Sequence, residues 1–148
     1  MATRNLILLL AILTVACRES LSPAQYVGRY PLRTVNAAPI PGSAPGTPTG
    51  CTVGFQSGSL ALAEGVFSLD AAPVYCCQGV CVINGWSSMG GAVTGSGDYL
   101  SLRAIDPTNG ATIEAGLSVS GSDVVLSFPA GALGFGARTT LVFGPKQQ

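Results

Sequence analysis

The chain has 148 residues, of which 47% are hydrophobic and only 9% charged, with seven cationic and seven acidic side chains and no histidine. That balance excludes the basic footprint of a nucleic-acid binder and any polybasic attraction to anionic lipid. It also removes the commonest general base and metal ligand, and it leaves Ser, Thr, Gly and Gln to dress the surface.

In chain order, the first element is an export address. Arg4 precedes an apolar run from Leu6 to Leu13, and small residues then lead through Ala16 into Cys17, the three-part layout of a secretory signal peptide over residues 1–16. The run is too short to span a bilayer, since about 12 residues reach roughly 18 Å against a hydrocarbon core of about 30 Å. Leu13-Thr-Val-Ala-Cys17 resembles the bacterial lipobox, with the leucine four places before the cysteine. The resemblance implies that Cys17 carries acyl chains such as palmitate and becomes the first mature residue, anchoring the protein to the membrane. Arg18 stands where an aspartate would signal inner-membrane retention, so the resemblance implies an outer-membrane lipoprotein of the cell envelope. Ordinary cleavage after Ala16, with Thr14 and Ala16 as the small residues of the site, is the other reading and gives a periplasmic or secreted protein.

Residues 17–25 follow as lipid anchor and short polar tether, and residues 26–148 are enough for one domain and too few for two. Between Ala37 and Gly50 stand Pro39, Pro41, Pro45 and Pro48 with three glycines, which predicts a loop and no central strand or helix. Elsewhere apolar residues fall at spacing two: Leu60 and Leu62, Phe67 and Leu69, Leu100 and Leu102, Ala111 to Val119, and Val124 to Phe128. These are half-buried strands. Glu64-Gly65, Gln78-Gly79, Asn84-Gly85, Ser96-Gly97, Asn109-Gly110 and Gly121-Ser122 punctuate them as hairpin turns. Val93–Leu102 and Val119–Phe128 share Val, Gly, Ser, Leu and Ser, one hairpin design used twice. The expected fold is all-β, a small antiparallel up-and-down barrel, with a β-sandwich as the alternative.

Gly28-Arg-Tyr-Pro-Leu-Arg-Thr-Val-Asn-Ala-Ala-Pro-Ile-Pro41, then Ser57–Leu62, Glu64–Phe67 and Arg138–Phe143 resemble the opening strand and later strands of small bacterial lipocalin-like lipoproteins. The resemblance covers Tyr26 to Phe143. It departs from the family pattern at Ala37, where glycine is usual, at Tyr30, where tryptophan is usual, and in the long prolyl segment. It implies a lipocalin-like barrel holding a small apolar molecule, with Arg138 as the last-strand arginine packed across Tyr30. The alternative for Arg138 is a plain surface arginine.

With Cys17 acylated, Cys51, Cys76, Cys77 and Cys81 remain, an even number in an exported chain, which predicts two disulfides. If Gln78-Gly79 is a two-residue turn, Cys76 lies opposite Cys81 in a non-hydrogen-bonded pair, the spacing a disulfide tolerates. Cys77 then faces the other side of its strand and is left for Cys51. A longer Cys77–Cys81 loop would reverse this assignment. Zinc is disfavoured by the missing histidine and by the absence of a C-x2-C pair, so neither metal nor cofactor is expected.

The carboxylates Glu64, Asp98 and Asp123 sit beside turns, where acidic residues serve structure, and Glu114 stands mid-strand on the outer face. No Ser-His pair and no phosphate-binding glycine loop is available, so the chain is not expected to be an enzyme. Trp86, Tyr75 and Tyr99 are candidates for stacking on a ligand or glycan, or for core packing. The expectation is a non-catalytic envelope protein attached to the membrane through its N-terminal lipid. Its partner is either a small apolar ligand inside the barrel or, with a side-chain-filled barrel, another envelope protein.

Overall fold

The computed structural model describes residues 22–83, 88–96 and 99–147. The expected signal peptide, Cys17, Trp86, Asp98 and the turn residues Asn84, Gly85 and Gly97 lie outside the described residues. In chain order the elements are α1 (Pro23–Tyr26), β1 (Gly28–Val35), β2 (Ala38–Pro39), β3 (Gly42–Pro45), β4 (Cys51–Ala63), β5 (Val66–Cys77), β6 (Val80–Ile83), β7 (Ser88–Ser96), β8 (Tyr99–Ile105), β9 (Thr112–Ser120), β10 (Asp123–Phe128), a 3-10 turn (Ala132–Gly134) and β11 (Thr139–Phe143).

Eight strands form a closed barrel in the order β1, β4, β5, β7, β8, β9, β10, β11, every pairing antiparallel, and β1 closes the ring by pairing with β11. This is the up-and-down barrel that the period-two pattern predicts, and the closure rules out the sandwich. The alternation holds where it was most regular: Ile113, Ala115 and Leu117 of β9 and Val124, Leu126 and Phe128 of β10 are buried between more exposed neighbours. Ala111, assigned to the same run, is exposed and lies before β9. Both echoing segments are hairpins, β7–β8 and β9–β10, whose second strands bury Leu100 and Leu102, and Leu126 and Phe128.

Two irregularities keep the apolar face inward. In β4 the buried positions run Cys51, Val53, Phe55 and then Leu60, Leu62, a change of parity that a regular strand cannot make. The pairing with β5 absorbs it, passing from Phe55↔Pro73 to Gly58↔Ala71, which leaves one extra residue on β4 as a bulge. In β1 the register slips between Leu32 and Thr34, so Tyr30, Leu32 and Val35 all face the core.

The prolyl segment is not wholly a loop. It contains β2, paired with β1, and β3, paired with β4. Both are edge strands, the one strand position that tolerates proline, because the missing N–H faces away from the ladder. At this end of the barrel β4 and β5 run on beyond the ring, and with β3 and β6 they form a four-stranded wing. The opposite end holds the tight turns Glu64-Gly65 and Gly121-Ser122 and the first and last described segments, joined by a bridge between Arg29 and Gln147.

α1 lies at the start of the described residues. Tyr26 is buried there, and its carbonyl accepts a 2.8 Å hydrogen bond from the Tyr30 hydroxyl. Burial pushes the Tyr30 phenol up from its ordinary value of 10.0. A raised phenol contributes stability that is complete below the unfolded value and lost as pH rises through the folded one. Tyr30→Phe is therefore expected to cost about 1 kcal/mol near neutrality and to blunt the fall in stability above pH 10. Urea melts of both proteins across that range check it, and an unchanged alkaline slope would contradict the assignment.

Candidate functional site

The interior of an eight-stranded barrel is just wide enough to be filled by side chains or to hold one small ligand. Here the inward residues pack as one continuous cluster running from Tyr26 and Tyr30 at the terminus end to Phe128 and Phe135 at the wing end. Leu60, Val124 and Leu126 at its centre have no solvent exposure.

The wing end is closed by the segment between β10 and β11. Phe135 packs against Phe55 and Phe128, with ring centroids 6.2 and 5.9 Å away. Leu133, buried beside it, adopts a left-handed φ of 53° between Gly131 and Gly134, which are also left-handed. That conformation costs a branched residue about 1 to 2 kcal/mol, so something must hold it. The holder is Asp106, which is completely buried and accepts the Leu133 N–H at 2.7 Å through Oδ2. Its Oδ1 accepts the Thr108 N–H at 2.8 Å and the Thr108 hydroxyl at 2.5 Å. The same carboxylate thus builds the β8–β9 turn and latches the cover of the barrel. Sequence reasoning missed it. Asp106-Pro-Thr-Asn-Gly110 marks a turn but names no partner 27 residues away.

The outer face carries Glu114, exposed and outward as its strand phase predicts. It accepts the Ser101 hydroxyl at 2.7 Å, and Ser101 in turn lies 2.9 Å from the Thr94 hydroxyl. These residues line a shallow concavity of about 620 Å³ floored by Gly116, Leu100 and Leu117, in which Glu114 is the one titratable lining group. A carboxylate with no acid or base partner can accept hydrogen bonds but cannot divide acid and base roles. Glu64 occupies its predicted turn. Asp123 faces Arg33 at 3.5 Å and Asp70 faces Arg29 at 2.9 Å, exposed pairs worth little individually.

The predicted cysteines come together at the wing. Cys76 faces Cys81 and Cys77 faces Val80 across Gln78-Gly79, whose φ values of 50° and 81° are those of a primed two-residue turn. The disulfides are Cys76–Cys81 and Cys51–Cys77, with Cα separations of 4.1 and 4.3 Å, the connectivity derived from the hairpin register. Tyr75, half-buried against the core, donates its hydroxyl to the Thr47 carbonyl and ties the prolyl segment to the wing. The side chain of Tyr99 lies outside the described residues, as does Trp86.

Arg138 does not pack across Tyr30. It is exposed and precedes β11 at the wing end, whereas Tyr30 pairs with Leu60 near the terminus end and Val35, five residues on, is the residue opposite Leu141. It is the surface arginine of the alternative reading. Among the described residues no group of three or more His, Cys, Asp or Glu side chains is placed to hold a metal ion, and no helix is long and apolar enough to cross a membrane. No protein-family model, curated protein or solved structure matches the chain.

Proposed function

We propose that the protein is an exported, non-catalytic module of the bacterial cell envelope, held at the outer membrane by acyl chains on Cys17, which presents its outer surface to envelope partners. The observation that carries this reading is the packed interior with its latched end. A small apolar ligand would need the volume that Leu60, Leu126 and Phe128 occupy, and entry at the wing end would have to displace Leu133 and Phe135. The lipobox-like junction and the similarity of the strand segments to lipocalin-like lipoproteins support the anchor and the envelope location.

Native mass spectrometry of the full chain purified from its own host tests the filled barrel. The expected mass is that of the mature polypeptide with its acyl groups, and a further small molecule released on activation would overturn the reading. The anchor has a separate test. Cys17→Ala is expected to shift the protein from the membrane fraction to the soluble one and to abolish labelling by a fatty-acid analogue. Labelling that persists in the variant would remove Cys17 as the attachment site.

A further inference from the structure

The wing has two outer edges, and the molecule treats them differently. The β3 edge carries Pro45 and is covered by the chain after the 3-10 turn: Gly136 N–H donates to the Pro45 carbonyl at 2.8 Å and Thr47 N–H to the Gly134 carbonyl at 3.0 Å. Among the described residues the β6 edge has none of these devices: β6 pairs with β5 alone, all four of its residues are exposed, and Val80, Val82 and Ile83 are 68%, 55% and 77% accessible. An apolar edge that shows no proline, lysine or cover among the described residues is a template for another strand.

The hairpin register says which backbone groups are free. Residues flanking a two-residue turn exchange both hydrogen bonds, and pairs then alternate. Cys77 with Val80 and Tyr75 with Val82 are therefore the bonded pairs, while Cys81 and Ile83, opposite Cys76 and Val74, direct their N–H and C=O groups to the open edge.

We infer that this edge pairs with the same edge of a second copy of the chain. The two outward-facing residues are symmetric about Val82, so antiparallel pairing on a two-fold axis sets Cys81 opposite the partner's Ile83 and Ile83 opposite the partner's Cys81, completing four backbone bonds. Val82 meets the partner's Val82 on the axis, and each Ile83 side chain lies beside the other copy's Cys76–Cys81 disulfide, apolar against sulfur. Gln78–Ile83 contains no ionisable side chain besides the paired cysteine, so two copies bring no charge repulsion, and a charged partner would find nothing to recognise. Strands of four residues cover far less than the roughly 1,200 Å² of a stable interface, which makes the pair weak and dependent on concentration. The inference goes beyond the proposed function and stands whether or not Cys17 is acylated.

The test is amide hydrogen exchange on the full chain in detergent, at protein concentrations of about 10 μM and 1 mM. At the higher concentration the Cys81 and Ile83 amides are expected to exchange at least about fivefold more slowly, with no change in Val82→Lys or in Ile83→Lys, which place like charges on or beside the axis. Both positions are exposed, so the variants fold, and circular dichroism confirms that they have. Concentration-independent exchange at Cys81 and Ile83 would overturn the inference. So would protection that appears only on adding lipid vesicles, or protection that survives both lysine variants.

Discussion

Asp106→Ala is expected to lower the unfolding free energy by about 3 to 4 kcal/mol, read from the urea midpoint at constant m-value. Each hydrogen bond to a buried charge contributes roughly 1.5 to 3 kcal/mol, and contributions within one network do not add. Removing the carboxylate leaves the buried Leu133 amide without an acceptor, while Thr108, which is exposed, can turn to water, and it frees Leu133 to leave its left-handed conformation. Asp106→Asn keeps one acceptor oxygen and is expected to lose about half as much. The discriminating readout is local: the Leu133 amide should become one of the fastest to exchange near the barrel mouth. A loss below about 1 kcal/mol would show that the cover is held by aromatic packing alone.

Removing the Cys51–Cys77 bridge as a pair of alanines is expected to cost about 3.5 kcal/mol, and removing Cys76–Cys81 about 2 kcal/mol, by the chain-entropy relation. The difference comes from the residues enclosed, 26 in sequence for the first bridge and 5 for the second. The first loop contains the bulged β4 and its turn into β5, so its closure restricts the unfolded chain most. Equal losses, or a larger one for Cys76–Cys81, would mean that native wing contacts rather than loop closure set the values. Fragmentation between Cys76 and Cys77 in the unreduced protein checks the linkage itself.

The barrel was legible because its strands obey the simplest periodicity and its turns carry glycine in the positions that need it. Gln78-Gly79 did most, because a two-residue turn fixes the register of its flanks and hence a disulfide pairing. What was hidden depends on partners distant in sequence. The run Val53, Phe55, Leu60, Leu62 breaks period two, and only the step in register from Phe55↔Pro73 to Gly58↔Ala71, with Gln56 and Ser57 between them against Ala72 alone, shows that a bulge restores it. Prolines in 37–50 correctly excluded a central strand but could not reveal an edge strand beside β4. Asp106 reads locally as a turn residue, and its second role depends on a segment that folds back from beyond β10. The arginine expected over Tyr30 failed for a related reason, since the slip in β1 and its register with β11 set Arg138 and Tyr30 at opposite ends of the barrel.

The start of β1 and the end of β11 lie on one side of the barrel, next to each other, with the two strands antiparallel along the seam. Tension applied between the two termini would therefore peel those strands apart one hydrogen bond at a time, the geometry of a zipper, rather than load the whole ladder in shear. The covalent bridge from Cys51 to Cys77 joins β4, which pairs with the other side of β1, to β5 and withholds the segment between those residues from extension. Under force the protein should open easily, at its closure, and then stop short of its full contour length by the span of that loop.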